Sequence, residues 1–85
     1  MMNILFRCDG SSEIGLGHVS RCITLAFKLK KRSKTKIFFA SKDFDLGVKF
    51  IQNKFPLTVY KKGVFTYVDW LIHSIQELNI DILIL

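Results

Sequence analysis

The sequence predicts an α/β fold with a parallel sheet, and three observations support this prediction. Four short apolar segments, rich in β-branched and aromatic residues, are typical of buried strands. Three segments with a helical spacing of apolar residues separate them, and the connections between the segments are short. Because strands and helices alternate along the chain, we expect the order β-α-β-α-β-α-β, with helices on both faces of the sheet.

The first predicted strand covers residues 2–8 and ends in the turn residues 9–12. Gly15 and Gly17 continue this loop into a helix that begins at His18. The helix has one apolar stripe and ends among lysines and arginines, which suit the negative end of a helix dipole. The stripe consists of Val19, Cys22, Ile23, Ala26 and Leu29.

The second predicted strand covers residues 36–41. Either Ser41 or Asp43 is suited to cap the helix that follows, which is expected to end near Asn53. Its apolar positions are Leu46, Phe50 and Ile51. The third strand is predicted at residues 57–60.

The third helix is predicted to begin at Thr66 and to end at Asn79. Its predicted apolar stripe is Val68, Leu71, Ile72, Ile75 and Leu78. Residues 80–85 form the fourth strand, which the doubly wound order places beside the first. Such a strand would be an apolar, uncovered edge. We therefore expect residues 1–85 to be the N-terminal part of a longer, Rossmann-like domain.

The composition excludes several classes of protein. The 85 residues are 49% hydrophobic with one Pro and five Gly, unlike disordered or collagen-like chains. Two cysteines are too few for a disulfide framework, and no Cys/His cluster has zinc-ligand spacing, so we expect no metal. The apolar runs are far shorter than the ~20 residues that span a bilayer. Without a signal-peptide pattern, we expect a cytoplasmic protein and no membrane partner.

The net charge of +6 raises the alternative of a nucleic-acid-binding protein. The basic residues concentrate at residues 28–36, at the end of the first helix, where cations are stabilising. Aromatic residues that would stack on bases do not alternate with them. We therefore interpret this cluster as a solvated helix end and expect no nucleic-acid partner.

The loop after the first strand carries the candidate chemistry, because open parallel sheets bind ligands beyond the carboxyl ends of their strands. The candidate binding residues are Arg7, Asp9, Gly10, Ser11, Gly15, Gly17 and Arg21. Glycines let a backbone approach a ligand, and unpaired N–H groups at the start of a helix suit an anion. His18 lies in the first helical turn, where the dipole opposes a second positive charge, so it is a candidate general base. Arg21 could bind a phosphate or carboxylate, and Asp9 could orient His18 or Arg21.

Other interpretations of the same residues are weaker. Residues 15–20 nearly match the dinucleotide fingerprint G-x-G-x-x-G/A. However, the loop before them is too long and no acidic residue ends the second strand, so we expect no NAD or other cofactor. Cys8 and Cys22 are interpreted as small core residues. Three aromatic or histidine side chains are interpreted as packing residues: Tyr67, Trp70 and His73.

Residues 7–26, RCDGSSEIGLGHVSRCITLA, resemble the opening of the UDP-sugar hydrolase family of pseudaminic acid biosynthesis. The shared pattern is R-x-D, a Gly/Ser-rich turn, I-G-x-G-H and then an arginine on the helix. The related spore-coat polysaccharide proteins are similar here. The resemblance covers about a quarter of the chain, so the pattern identifies the superfamily better than the individual activity.

The resemblance implies a two-domain fold of the GT-B type, in which the catalytic histidine of the N-terminal half falls on His18. It implies hydrolysis of UDP-2,4-diacetamido-2,4,6-trideoxy-β-L-altropyranose to UDP and free sugar with inversion, without metal, by a full-length monomer. The UDP-binding half, and an Asp-x-Tyr segment after the fourth strand, would lie beyond Leu85, so residues 1–85 alone are expected to be inactive. Alternatives are a GT-B glycosyltransferase and a non-catalytic nucleotide-sugar-binding module.

Overall fold

A computed structural model describes residues 1–85 and contains four strands and three helices in the predicted order. The strands are β1 (Met2–Arg7), β2 (Thr35–Lys42), β3 (Leu57–Tyr60) and β4 (Ile82–Ile84), and the helices are α1 (Gly17–Arg32), α2 (Asp45–Gln52) and α3 (Tyr67–Glu77). The sheet has the order β3-β2-β1-β4, and all of its strand pairs are parallel. The parallel α/β prediction is confirmed, including the position of β4 beside β1.

The larger part of the core lies between the sheet and the helices α1 and α2. Alternate residues of β1 and β2 face this layer, because successive side chains of a strand point to opposite faces. The buried stripe of α1 is the predicted one, with Val19 and Ala26 fully enclosed and Leu29 partly buried. The rings of Phe6 and Phe39 stack at its centre, 5.1 Å apart. The other buried members are Ile4, Cys8, Cys22, Ile23, Ile37, Ile51 and Phe55.

The opposite face of the sheet is covered by α3, whose predicted apolar stripe is partly wrong. Val68 and Ile72 are 59% and 47% exposed, whereas Trp70 and Ser74 are buried. Trp70 packs with Leu5 and Ala40 of the sheet. The small Ala40 side chain leaves room for the indole of Trp70. The rotation of α3 about its axis therefore follows the packing of Trp70 and not the stripe of aliphatic residues.

The caps of the two later helices differ from one another. The helix α3 begins one residue after the predicted start, and Thr66 is its cap: the Oγ1 atom of Thr66 accepts a hydrogen bond from the N–H group of Asp69 at 3.2 Å. The prediction that Ser41 or Asp43 caps α2 is wrong, because the N-cap is Phe44 and has no side-chain bond. β2 continues to Lys42, whose carbonyl oxygen accepts a hydrogen bond from Ser41 at 2.7 Å.

The connection from α3 to β4 is tied to the start of β1. Asn79 has a φ of 51°, in the left-handed region that Asn tolerates better than most residues. The side-chain amide of Asn3 donates to the carbonyl groups of Leu78 and Asn79, both at 3.0 Å. The N–H group of Asn3 donates to the Asp81 carboxylate at 2.8 Å, and the N–H group of Asp81 donates back to the Asn3 carbonyl. These bonds fix where β4 joins the sheet.

The basic cluster at the end of α1 lies on the surface. Its lysine and arginine side chains are all exposed and form no ion pair within 4.0 Å. The ammonium group of Lys30 lies 5.8 Å from the ring centre of Phe55.

None of the three helices has both the length and the apolar character needed to cross a membrane.

Candidate functional site

A cleft of about 340 Å³ opens at the carboxyl end of β1, beside the start of α1. It is lined by Arg7, Cys8, Asp9, Ile14, Gly15, His18 and Leu85. Four of the eight candidate site residues predicted from the sequence therefore share one cleft. The other four, Gly10, Ser11, Gly17 and Arg21, do not line it.

The glycine loop forms one wall of the cleft through a tight turn. The carbonyl oxygen of Ser11 accepts a hydrogen bond from the N–H group of Gly15 at 2.7 Å, and its Oγ accepts from Ile14 at 3.2 Å. Gly15 has a φ of +77°, a conformation that favours glycine. No atom lies within 4 Å of the position that a Cβ would take. The loop is therefore closed by Ser11 and leaves bare backbone facing the cleft at Gly15.

The start of α1 forms the second wall and carries unpaired donors. Its N-cap, Leu16, makes no side-chain hydrogen bond, and no acidic residue lies in the first turn. The N–H groups of Gly17, His18 and Val19 have no acceptor within the chain. His18 itself is exposed and lines the cleft. An unpaired helix start of this kind favours an anionic or strongly polar ligand group.

The third wall is an ion pair between Arg7 and Asp9. The Arg7 guanidinium donates to both carboxylate oxygens, at 2.7 and 3.0 Å, and its Nε donates to the Tyr67 hydroxyl at 2.8 Å. Its Cζ lies 5.1 Å from the ring centre of Tyr67 and 6.0 Å from that of Trp70. Asp9 also accepts from the backbone N–H group of Lys42 at 2.8 Å. The two side chains predicted to bind substrate are thus fixed chiefly by each other.

These contacts determine the charge of the pair. Partial burial alone would raise the pKa of Asp9, but the hydrogen bonds from Arg7 and Lys42 outweigh burial and hold that pKa below its usual value. Burial opposes the charged form of Arg7, and the bonds to Asp9 and Tyr67 raise its pKa nevertheless. Asp9 makes no hydrogen bond with His18 or Arg21, contrary to the orienting role expected for it.

Arg21 lies outside the cleft that holds His18. Its side chain is exposed and passes over Gly17, where an added Cβ would lie 3.5 Å from the Arg21 Nη1 atom. Together with Ser20 and Lys28 it lines a separate groove of about 240 Å³ on the surface of α1. The structure therefore does not bring Arg21 and His18 to one ligand-sized space.

A backbone contact that the sequence analysis missed supports the loop from below. The N–H group of Gly47 donates to the carbonyl oxygen of Gly10 at 2.9 Å. A Cβ on Gly47 would lie 2.6 Å from that oxygen, and a Cβ on Gly10 would lie 2.7 Å from Leu16. Gly10 is thus buried structure rather than a cleft residue. The signal in the sequence was a glycine at position 47, inside a predicted helix where glycine is otherwise unfavourable.

The two cysteines are free, buried core residues, as predicted. Burial, followed by the neighbouring Cys22, raises the pKa of the Cys8 thiol to about 12. Burial also raises the pKa of Cys22. No group of three or more His, Cys, Asp or Glu side chains lies together as a metal site would require. The remaining histidine, His73, is exposed on α3, with its ring stacked on Phe65 at 5.0 Å.

Comparison with known proteins gives one similarity of note. An uncharacterized protein of Methanocaldococcus jannaschii is 42% identical over 57 residues, which is 66% of this chain and 12% of that protein. The chain therefore matches only a small part of the length of this relative. No family model and no solved structure match the chain. The relative is itself uncharacterized, so the similarity assigns no function to this chain.

Proposed function

We propose that residues 1–85 form the histidine-bearing part of a nucleotide-sugar hydrolase. The observation that carries this proposal is the cleft at the end of β1, which is lined by the bare turn at Gly15 and by His18 at the uncapped start of α1. The resemblance of residues 7–26 supplies the substrate, UDP-2,4-diacetamido-2,4,6-trideoxy-β-L-altropyranose. The products are UDP and the free sugar.

In the proposed reaction His18 is the general base. Its imidazole takes a proton from a water molecule as the water oxygen attacks the anomeric carbon. The bond between that carbon and the UDP oxygen breaks, and its electron pair leaves with UDP. Attack from the side opposite UDP inverts the anomeric carbon. Because UDP is a stable anion, its departure requires less protonation than that of an ordinary alcohol.

The other walls of the cleft position the substrate in this proposal. The free N–H groups at the start of α1 suit a polar or anionic group close to the reacting carbon. Gly15 allows the sugar to approach the backbone closely. The Arg7–Asp9 pair keeps the shape of the cleft, since most of its hydrogen-bonding capacity is used within the protein.

The resemblance assigns UDP to a second domain outside residues 1–85, so the activity is proposed for the full-length chain. The proposal includes a monomeric enzyme without metal or cofactor, and with neither nucleic acid nor membrane as partner. The two buried free thiols agree with the reducing cytoplasm that we propose as its location.

The test is turnover of the UDP-sugar by the full-length protein in water enriched in oxygen-18. We expect UDP release without any acceptor, with the heavy oxygen on the anomeric carbon of the sugar and none in UDP. Heavy oxygen in UDP would contradict attack at carbon. Release that depends on an added acceptor would favour the glycosyltransferase, and binding without release would favour the non-catalytic module.

A further inference from the structure

A second and larger cleft lies beyond the carboxyl ends of β2 and β3, and the proposed reaction does not use it. Its volume is about 680 Å³, against about 340 Å³ for the cleft that holds His18. This size is within the range of small-molecule sites. Its walls come from the end of β2 at Lys42, the end of β3 at Tyr60 and the start of α3 at Tyr67.

Two tyrosines give this cleft a fixed aromatic wall. The rings of Tyr60 and Tyr67 meet almost at right angles, with centres 5.9 Å apart. Both pack against the buried Trp70, at 5.4 and 5.8 Å between ring centres. The hydroxyl of Tyr67 also accepts a hydrogen bond from the Nε atom of Arg7. Rings held in this way offer a ligand apolar surface at little cost in side-chain entropy.

The rest of the lining is mainly cationic. The lysines Lys42, Lys61 and Lys62 line the cleft, and no carboxylate lies within 4.0 Å of their ammonium groups. The Nζ atom of Lys42 lies 5.2 Å from the ring centre of Tyr67. One acidic residue, Asp43, lines the same cleft, so three cations face one carboxylate. The excess of positive charge in a concave space favours an anionic ligand.

We propose that this cleft binds a phosphate monoester of a ring compound. The phosphate lies against the lysine ammonium groups, which bind phosphate as point charges. The ring, a sugar or a nucleobase, lies against the aromatic wall that Tyr60 and Tyr67 form. Binding here requires neither His18 nor hydrolysis, so the proposal stands independently of the proposed function.

The test is calorimetric titration of the full-length protein with two probes, glucose 1-phosphate for a sugar ring and uridine 5′-monophosphate for a nucleobase. Inorganic phosphate and glucose are titrated separately. We expect at least one probe to bind about tenfold more tightly than inorganic phosphate, a difference that corresponds to ~1.4 kcal/mol. If neither probe binds more tightly than inorganic phosphate, the proposal is wrong.

Paired variants locate the binding. Replacing both Lys61 and Lys62 by Ala should lower the affinity for the probe that binds by about tenfold, as expected for the loss of a charge-assisted hydrogen bond. The matched control replaces Lys31 and Lys34 by Ala. Both lysines are exposed, and their replacement removes the same charge at a distance from the cleft. Tyr60→Leu should lower the affinity for the ring compound and leave the affinity for inorganic phosphate unchanged.

Thermal unfolding of each variant shows whether it is folded. If the two double variants lose the same affinity, binding depends on the net charge of the protein and not on this cleft, and the proposal is overturned. A probe that still binds normally to the folded Lys61/Lys62 variant would also overturn it, because that probe would occupy another part of the full-length protein.

Discussion

The guanidinium of Arg7 donates two hydrogen bonds to the carboxylate of Asp9, and both side chains line the cleft that holds His18. The side chain of Arg7 is 7% exposed and that of Asp9 is 20% exposed, so the pair is largely withdrawn from water. A pair in this position depends on both partners, because removing one leaves the other charge poorly solvated. The pair therefore connects the stability of the fold to the shape of the candidate site.

Asp9→Asn is expected to destabilise the protein strongly. The substitution keeps the shape of the side chain but leaves the charge of Arg7 without its counter-charge, which costs ~3 kcal/mol at a largely buried site. The control is Asp45→Asn in the exposed Lys49–Asp45 pair, where a loss below ~1 kcal/mol is expected. Urea unfolding measures both. Equal losses would show that the Arg7–Asp9 pair behaves as a surface pair.

Stability is expected to fall in acid through the titration of Asp9. The pKa of Asp9 is lower in the folded protein than the ~3.9 of an unfolded chain. The unfolded state therefore binds the proton first, and the stabilisation, complete at neutral pH, is lost as the pH falls from about 5 through the folded pKa. Comparing the unfolding free energies of the wild type and Asp9→Asn between pH 7 and pH 3 isolates the contribution of the Asp9 titration. An identical pH dependence in both proteins would contradict it.

Gly47→Ala is expected to destabilise the protein although alanine is the better helix former. In an exposed helix the exchange would gain ~1 kcal/mol. Here the new Cβ would meet the carbonyl oxygen and the nitrogen of Gly10, at 2.6 and 2.7 Å, so α2 has to move away from the glycine loop. We expect a net loss of ~2 kcal/mol, within the range for overpacking. Gln52→Ala, exposed at the end of the same helix, is the control and should change the melting temperature little.

The fold could be predicted from the sequence because each element has a local signal. Alternating strands and helices predicted the parallel sheet, and the spacing of Val19, Cys22 and Ile23 predicted the buried face of α1. The rotation of α3 could not be predicted, since it depends on which sheet residues lie beneath Trp70. That is a tertiary property with no local pattern.

The positions of the candidate site residues could be predicted in part. Turn residues and a helix start placed Gly15 and His18 correctly at one edge of the sheet. The partner of Asp9 was missed, because Arg7 lies two residues earlier on a strand and its inward direction is set by Tyr67, sixty residues away in sequence. Contacts of this kind appear only once distant elements are packed together.

The thiol of Cys8 is expected to be unreactive in the folded protein. It is 2% exposed, and its pKa of about 12 leaves almost no thiolate at pH 8. Cys22 is 7% exposed and should behave in the same way. With Ellman's reagent at pH 8 we expect release of the coloured thiolate from these two cysteines only in urea. Immediate reaction of either cysteine without denaturant would contradict the buried packing described here.

His18→Asn is expected to lower turnover of the UDP-sugar by ~10²-fold or more in the full-length enzyme, because a general base contributes a factor of this order. Asn retains a polar side chain of similar size but takes no proton from water. The matched control is His73→Asn, the same exchange at the exposed histidine on α3, which should leave turnover unchanged. Arg21→Ala should cost less than His18→Asn, since its side chain lies outside the cleft. Near-normal turnover of a folded His18→Asn variant would remove the imidazole from the reaction and leave the cleft as a binding site.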